Sequence, residues 1–170
     1  MIYQNSWNDK TTVQKGNYGE KLVKQYLESK GWIVYGVETE GRHAFDKLCV
    51  KDKKHIIIAE IKTKERLNLF PATGFDTKHY NEYKYLQNKY GIDIFIFFVD
   101  AALKKIYGNK LKELEKNKVI KNNSYPLELK KNNITVFPLI NMIEIADLKQ
   151  EDANYLINHS TRNYEYNFER

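Results

Sequence analysis

The stretch His55-Ile56-Ile57-Ile58-Ala59-Glu60-Ile61-Lys62 constrains this chain more than any other. A β-branched apolar run of this length reads as a strand buried on both faces. Alternation along a strand puts Ile56, Ile58, Glu60 and Lys62 on one face. That face is apolar first and ionic at its end. Burying a carboxylate and an ammonium there is costly unless they pair with each other or hold a metal. The pattern fits a cation site with a lysine beside it. It equally fits a strand running out into solvent, with Glu60 and Lys62 on a wet rim, so the flanking chain has to decide.

Upstream, residues 1–16 are polar with scattered aromatics and read as an arm or a short helix. The helical signal is clear from Asn17, an N-cap type, with Glu20 three residues later in capping-box spacing. Leu22, Val23, Tyr26 and Leu27 form a stripe at helical period, and Lys30-Gly31 closes it. Glu20 lies at the edge of that stripe, and the capping box alone would account for it. Residues 32–37 read as a first strand, and a polar turn at residues 38–42 follows. Asp46-Lys47-Leu48-Cys49-Val50 reads as a second strand, with Asp46 at its start. The polar turn Lys51-Asp52-Lys53-Lys54 makes a hairpin of the second and third strands. Folding symmetrically about residue 53 brings Asp46 and Glu60 to the same end of the sheet.

Downstream, residues 64–75 read as an irregular loop carrying Lys64 and Arg66, with Phe70-Pro71-Ala72-Thr73-Gly74 as turn chemistry. A second helix is expected over residues 77–90, with Tyr83, Leu86 and Tyr90 as a core stripe and Gly91 at its end. Residues 92–99 form a near-continuous apolar strand. A strand–helix–strand step needs a crossover, so this strand should lie parallel to the Ile56 strand. Beyond Asp100 the chain predicts an edge strand at 105–108, a short helix at 111–116 and a polar, turn-rich segment at 124–133. A short strand at 134–139 and a helix at 148–157 capped by Asp147 follow, before a frayed tail at 164–170. No repeat or low-complexity linker occurs. The expected organisation is one domain over residues 1–170, with a core at about 17–100 and an extension at 101–170.

Composition narrows the partners. The 170 residues carry 28 Lys+Arg against 22 Asp+Glu, a formal charge of +6 that favours polyanions without proving them. Abundant Asn, Lys, Ile and Tyr are also what an AT-rich genome produces. A single cysteine, Cys49, excludes an internal disulfide and points to a reducing, cytoplasmic setting. The longest apolar run, residues 94–99, is strand-sized, so no membrane span is expected, and residues 1–5 do not read as a signal peptide. His43, His55 and His79 lack metal-ligand spacing, and neither a phosphate-binding glycine loop nor a Ser or Cys nucleophile motif occurs.

The order helix, three strands, helix, strand, with Glu20, Asp46 and Glu60-Ile61-Lys62 at those places, resembles the PD-(D/E)xK nuclease superfamily. Glu20 on the first helix is similar to the subset that includes archaeal Holliday-junction resolvases and related small nucleases. The resemblance covers roughly residues 17–100. One departure is plain: Phe45, not proline, precedes Asp46, a position that varies within the superfamily. The resemblance implies an α/β, restriction-endonuclease-like αβββαβ core, with a mixed central sheet flanked by helices, plus a C-terminal α/β extension. It also implies Mg²⁺-dependent, or Mn²⁺-dependent, phosphodiester hydrolysis. Asp46 and Glu60 would be metal-binding carboxylates and the Ile61 carbonyl a further ligand. Lys62 would position or activate the attacking water, or stabilise the charged phosphorane. Glu20 would complete the acidic site, directly or through water. Lys64, Arg66 and Lys78 are the candidate substrate-binding cations.

Hard oxygen ligands suit Mg²⁺ or Mn²⁺, so residue chemistry and resemblance agree. Two functions stay open: a nuclease acting on nucleic acid, DNA first, and a non-catalytic nucleic-acid- or protein-binding module on the same fold. Branched, nicked, linear and sequence-specific substrates are all compatible with the sequence, as is RNA. A symmetric junction would call for a homodimer.

Overall fold

A computed structural model describes residues 11–36, 45–52, 54–67 and 71–160. The turn expected at 38–42 and the tail at 164–170 lie outside the described residues. Helix α1 (Thr11–Ser29) is followed by β1 (Ile33–Gly36), β2 (Lys47–Lys51), β3 (His55–Lys62), β4 (Ala72–Asp76) and α2 (Thr77–Tyr90). Then come β5 (Asp93–Asp100), β6 (Lys105–Lys110), α3 (Leu111–Leu114), β7 (Lys118–Ile120), β8 (Asn123–Tyr125) and β9 (Leu127–Leu129). The last elements are β10 (Ile134–Pro138), β11 (Ile143–Asp147) and α4 (Gln150–Asn158).

The central sheet has six strands in the order β1-β2-β3-β5-β6-β11. β3 and β5 are parallel and every other pair is antiparallel, so the sheet is mixed. The expected order of helix, three strands, helix and strand is present around this sheet, with β4 of a second sheet inserted before α2. β3 and β5 supply the two-faced apolar runs expected of central strands. On one face Ala59, Ile61, Phe97 and Val99 pack with Val23 and Leu27 of α1 and Leu156 of α4. On the other, Ile58, Ile94, Ile96 and Phe98 pack with Tyr83 of α2, Phe75 of β4 and Phe137 of β10. The β2–β3 hairpin pairs Lys51 with His55 and Lys47 with Ala59, the register expected from its turn.

The structure corrects several sequence expectations. The described part of α1 already runs from Thr11, so Asn17 is inside the helix and caps nothing. The buried positions Lys15, Gly19, Val23 and Leu27 recur every four residues, so the stripe starts earlier than its apolar part. Lys15 and Gly19 carry no hydrophobic signal, yet both are buried. Residues 72–75, expected as loop, belong to β4, because β10 pairs with them. The partner is too distant in sequence for any local pattern to reveal it. Gly74 serves that pairing: a Cβ there would stand 2.1 Å from the Thr135 carbonyl oxygen. The segment at 124–133 likewise contains β9 and the end of β8, joined to small sheets by β10 and β7. β6 is not an edge strand, since β11 lies outside it. Asp147 ends β11 and approaches Lys105, and Lys149 stands at the N-cap of α4. Among the described residues no helix is long and apolar enough to cross a membrane.

Gly19 lets α1 press against the chain leaving β3, since a Cβ there would stand 2.0 Å from Thr63 Oγ1 and 3.1 Å from Thr63 Cβ. Thr63 is β-branched and gives way poorly. Gly19→Ala should therefore lower stability by about 1–3 kcal/mol through overpacking. Gly16, where an added methyl would meet nothing within 4 Å, is the control. Gly16→Ala should raise stability by about 0.5–1 kcal/mol through helix propensity. Urea unfolding of the two variants checks the contrast in sign.

Candidate metal and catalytic site

The site stands where the β2–β3 ladder ends. Past the Lys47–Ala59 pair, side chains replace the backbone ladder. The Ile61 amide donates to Asp46 Oδ2 at 2.7 Å, and the Asp46 amide donates to Glu60 Oε2 at 3.3 Å. The two carboxyl groups are thus cross-stitched across the hairpin. Extended residues direct their N–H and C=O to the same neighbour, so the Ile61 carbonyl faces the side on which Asp46 lies.

Glu60 is 2% exposed. Its burial is tolerable only because it is partnered. Lys62 Nζ donates to Oε1 at 2.5 Å, along the face that strand alternation assigns to both residues. The Tyr83 phenol of α2 stands in the field of the Glu60 charge. Lys62 in turn lies over two aromatic faces, 5.7 Å from the Phe75 ring centre and 5.8 Å from that of Tyr83, within cation–π range. Burial, followed by the Glu60 charge, pushes the Tyr83 phenol far above its usual range, so it stays neutral. Asp46 is raised from 3.8 to about 6, by burial first and by the Glu60 charge second, against the lowering pull of the Ile61 amide and Lys62.

Glu20 stands apart from this group. Its Oε2 pairs with Lys47 Nζ at 2.6 Å. Lys47 shares its strand face with Cys49, which packs in the α1 layer, so the Glu20 pair belongs to the face opposite Lys62. Among the described residues no three His, Cys, Asp or Glu side chains are grouped to hold one ion. Asp46 and Glu60 form the carboxylate pair, with the Ile61 carbonyl beside them. A donor set of two carboxylates and one carbonyl, all hard oxygens, fits Mg²⁺, which takes one or two carboxylates and keeps waters. Oδ1 is the Asp46 oxygen that the Ile61 amide leaves for a cation.

The candidate substrate-binding cations fall in two places. Lys64 and Arg66 are exposed on the chain leaving β3. That chain is pinned on both sides. Glu65 pairs with Lys15 of α1 at 2.6 Å, with both side chains nearly buried. The Arg66 amide donates to Asp100 Oδ2 at 2.9 Å. Lys78 is on α2, five residues before Tyr83 and on a different side of the helix. It lines a groove of about 720 Å³ with Asn81, Glu82, Tyr85 and Glu128.

Sequence reasoning missed three residues. Tyr83 was legible only as a core aromatic and Phe75 only as the end of the expected loop, because their contact with Lys62 depends on the packing of α2 and β4. Asp100 is fully buried and accepts from the Ala102, Leu103 and Arg66 amides and the Tyr107 hydroxyl. Its signal was available: like Glu60, it is an acid that closes a two-faced apolar strand.

The raised Asp46 pKa fixes a pH dependence. Between 3.8 and about 6 the folded chain binds more proton at Asp46 than the unfolded chain does. The metal-free protein therefore loses stability from this group as pH rises through that window. Asp46→Asn should remove that fall and stabilise the metal-free protein at neutral pH by up to about 3 kcal/mol. Melting temperatures in chelator across the window, for both proteins, give the test.

No family model matches the sequence, and no curated protein matches it. Among solved structures, the chain is similar to Hjc of Archaeoglobus fulgidus, a Holliday junction resolvase from an archaeal hyperthermophile. The two share 13% identity and a TM-score of 0.47, over 64% of this chain and 85% of that one.

Proposed function

We propose that this chain is a divalent-metal-dependent endonuclease of PD-(D/E)xK type, with DNA as its substrate. One observation carries the reading: Asp46, Glu60 and Lys62 meet at the end of a buried hairpin, two acids cross-stitched and one ammonium on the second acid. Asp46, Glu60 and the Ile61 carbonyl would hold Mg²⁺ or Mn²⁺. Bound there, the ion would polarise the phosphoryl oxygen and lower the pKa of water.

The remaining work belongs to the chain. Lys62 brings positive charge where negative charge develops as water attacks phosphorus and the P–O bond breaks. Its cation–π seat and its bond to Glu60 hold the ammonium in place before substrate arrives. Glu20, held by Lys47, would act through water at the rim. Lys64 and Arg66 would neutralise flanking phosphates, and Lys78 would reach a more distant part of the duplex. Residues 101–160 would brace the core as part of one unit, in a cytoplasmic setting.

A second reading, a non-catalytic binding module, draws on one observation. Glu20 is engaged by Lys47 and does not join the other acids. Metal response separates the two. On the nuclease reading, Mg²⁺ or Mn²⁺ raises the melting temperature by linkage, and labelled DNA is cut. Asp46→Asn should abolish cutting and most of the metal-induced rise. Lys62→Ala should abolish cutting and keep the rise, while lowering metal-free stability by about 3–5 kcal/mol, because it leaves Glu60 buried without its cation. A wild type that gains nothing from either metal and cuts no linear, branched or single-stranded DNA supports the binding module.

The placement of Lys64 and Arg66 is tested separately. Replacing both with Gln should weaken DNA binding uniformly and flatten the log–log salt slope by about 1 per charge removed. An unchanged slope places the DNA elsewhere.

A further inference from the structure

We infer that β1 is a docking edge for a second copy of this chain, paired antiparallel about a two-fold axis. The central sheet ends in β1 on one side and in β11 on the other, and β1 pairs with no strand but β2 among the described residues. Alternate residues of an edge strand direct their N–H and C=O groups away from the sheet, which makes a template for another strand. The two edges treat that hazard differently. β11 carries Glu144 and Asp147, both on Lys105, and its register shifts between Glu144 and Ala146. Charge and bulge are devices that keep a sheet edge from pairing. β1, Ile33-Val34-Tyr35-Gly36, has neither a charge nor a proline, and its register against β2 is unbroken.

The side chains agree with the backbone. Val34 packs into the α1 layer, so Ile33 and Tyr35 share the opposite face. They are 57% and 54% exposed. Ile33 stands beside Val50 and Val50 beside Ile56, itself 48% exposed, while Tyr35 stands beside Leu48. An apolar strip thus runs inward from the edge over three strands, and contiguous apolar surface marks an interaction site. Charge selects the occupant. The chain carries a formal +6, so another copy is repelled wherever lysines face lysines. At β1 two copies meet without opposing charges, whereas an acidic partner would find no cation on the strand. In the antiparallel pairing Ile33 and Tyr35 of one copy lie beside the same residues of the other, and aromatic–β-branched neighbours stabilise paired strands. The edge is four residues long, so association in the micromolar range is expected rather than an obligate dimer. Gly36 pairs with Lys47, next to Asp46, so the candidate site lies at the Gly36 end of β1. Antiparallel pairing turns the two sites to opposite ends of the joined sheet, and each serves its own substrate.

The test is sedimentation velocity of nucleic-acid-free protein across the micromolar range, at low and high salt. It compares wild type with Ile33→Lys/Tyr35→Lys, Ile56→Lys and Ile143→Lys. The substituted side chains are all about half exposed, and circular dichroism checks that each variant is folded. Wild type should dimerise, and more tightly at high salt, because salt screens the repulsion between two cationic copies. Ile33→Lys/Tyr35→Lys sets lysines against lysines across the junction and should weaken the dimer about tenfold or more. Ile56→Lys, two strands from the junction, and Ile143→Lys, on the β11 edge, should dimerise as wild type does. A wild type that stays monomeric would overturn the inference, as would a dimer that salt dissolves. Loss of the dimer in Ile56→Lys would overturn it in favour of stacked sheet faces, and loss in Ile143→Lys in favour of the other edge. The metal-induced rise in melting temperature should be the same in all four proteins. Its absence from wild type would remove the nuclease reading and leave the docking edge standing.

Discussion

Glu60 is a carboxylic side chain with 2% exposure at the end of a strand that is otherwise apolar. Burying such a group costs several kcal/mol unless partners replace the lost water. Here they come from two directions: Lys62 along the strand and the Asp46 amide across the hairpin. Each demands something of the fold. Lys62 requires that β3 stay extended for two residues past the carboxylate. Asp46 requires the hairpin register, since a one-residue slip would turn Glu60 to the opposite face. The Lys62 ammonium in turn requires that α2 and β4 present the Tyr83 and Phe75 rings on that face. The β2–β3 register and the seat of α2 are therefore both tied to one buried ion pair.

The scaffold around this point divides its labour between the two faces of the sheet. The α1 face is a conventional apolar layer, reinforced at its outer end by the Glu20–Lys47 pair. The other face becomes polar where Glu60 and Lys62 replace isoleucines, and aromatic rings rather than aliphatic side chains close over it. An aromatic face suits an ammonium in a way that a leucine does not. The chain leaving β3 is then fixed by two acids that are not part of the site, Glu65 on Lys15 and Asp100 on the Arg66 amide. Asp100 draws its other partners from the turn after β5 and from β6, so residues beyond 100 help hold the loop that leaves the site.

Most of the core was legible because its signals are local. The two-faced runs at residues 56–61 and 94–99, the turn at 51–54 and the helix ending at Gly91 need only periodicity and turn chemistry. Asp46 and Glu60 followed from the same hairpin symmetry. What was missed depends on contacts distant in sequence. β4 exists because β10 pairs with it, and Gly74, which looked like a turn residue, is there for close backbone approach. The N-terminal half of α1 is helical because Lys15 and Gly19 are buried against residues 63–65, and neither carries an apolar signal. Tyr83 is the instructive case. Helical spacing identifies it as a core residue, which it is, but not that the Lys62 ammonium lies over its ring.

A crystal structure of the full chain grown with Mn²⁺, with data collected at the manganese absorption edge, is the most direct test of the proposed site. The expected result is one anomalous peak between the Asp46 and Glu60 carboxylates, within about 2.0–2.6 Å of their oxygens and beside the Ile61 carbonyl. Lys62 should remain over the Tyr83 and Phe75 rings. No peak there at saturating Mn²⁺, or a peak held by other residues, would contradict it.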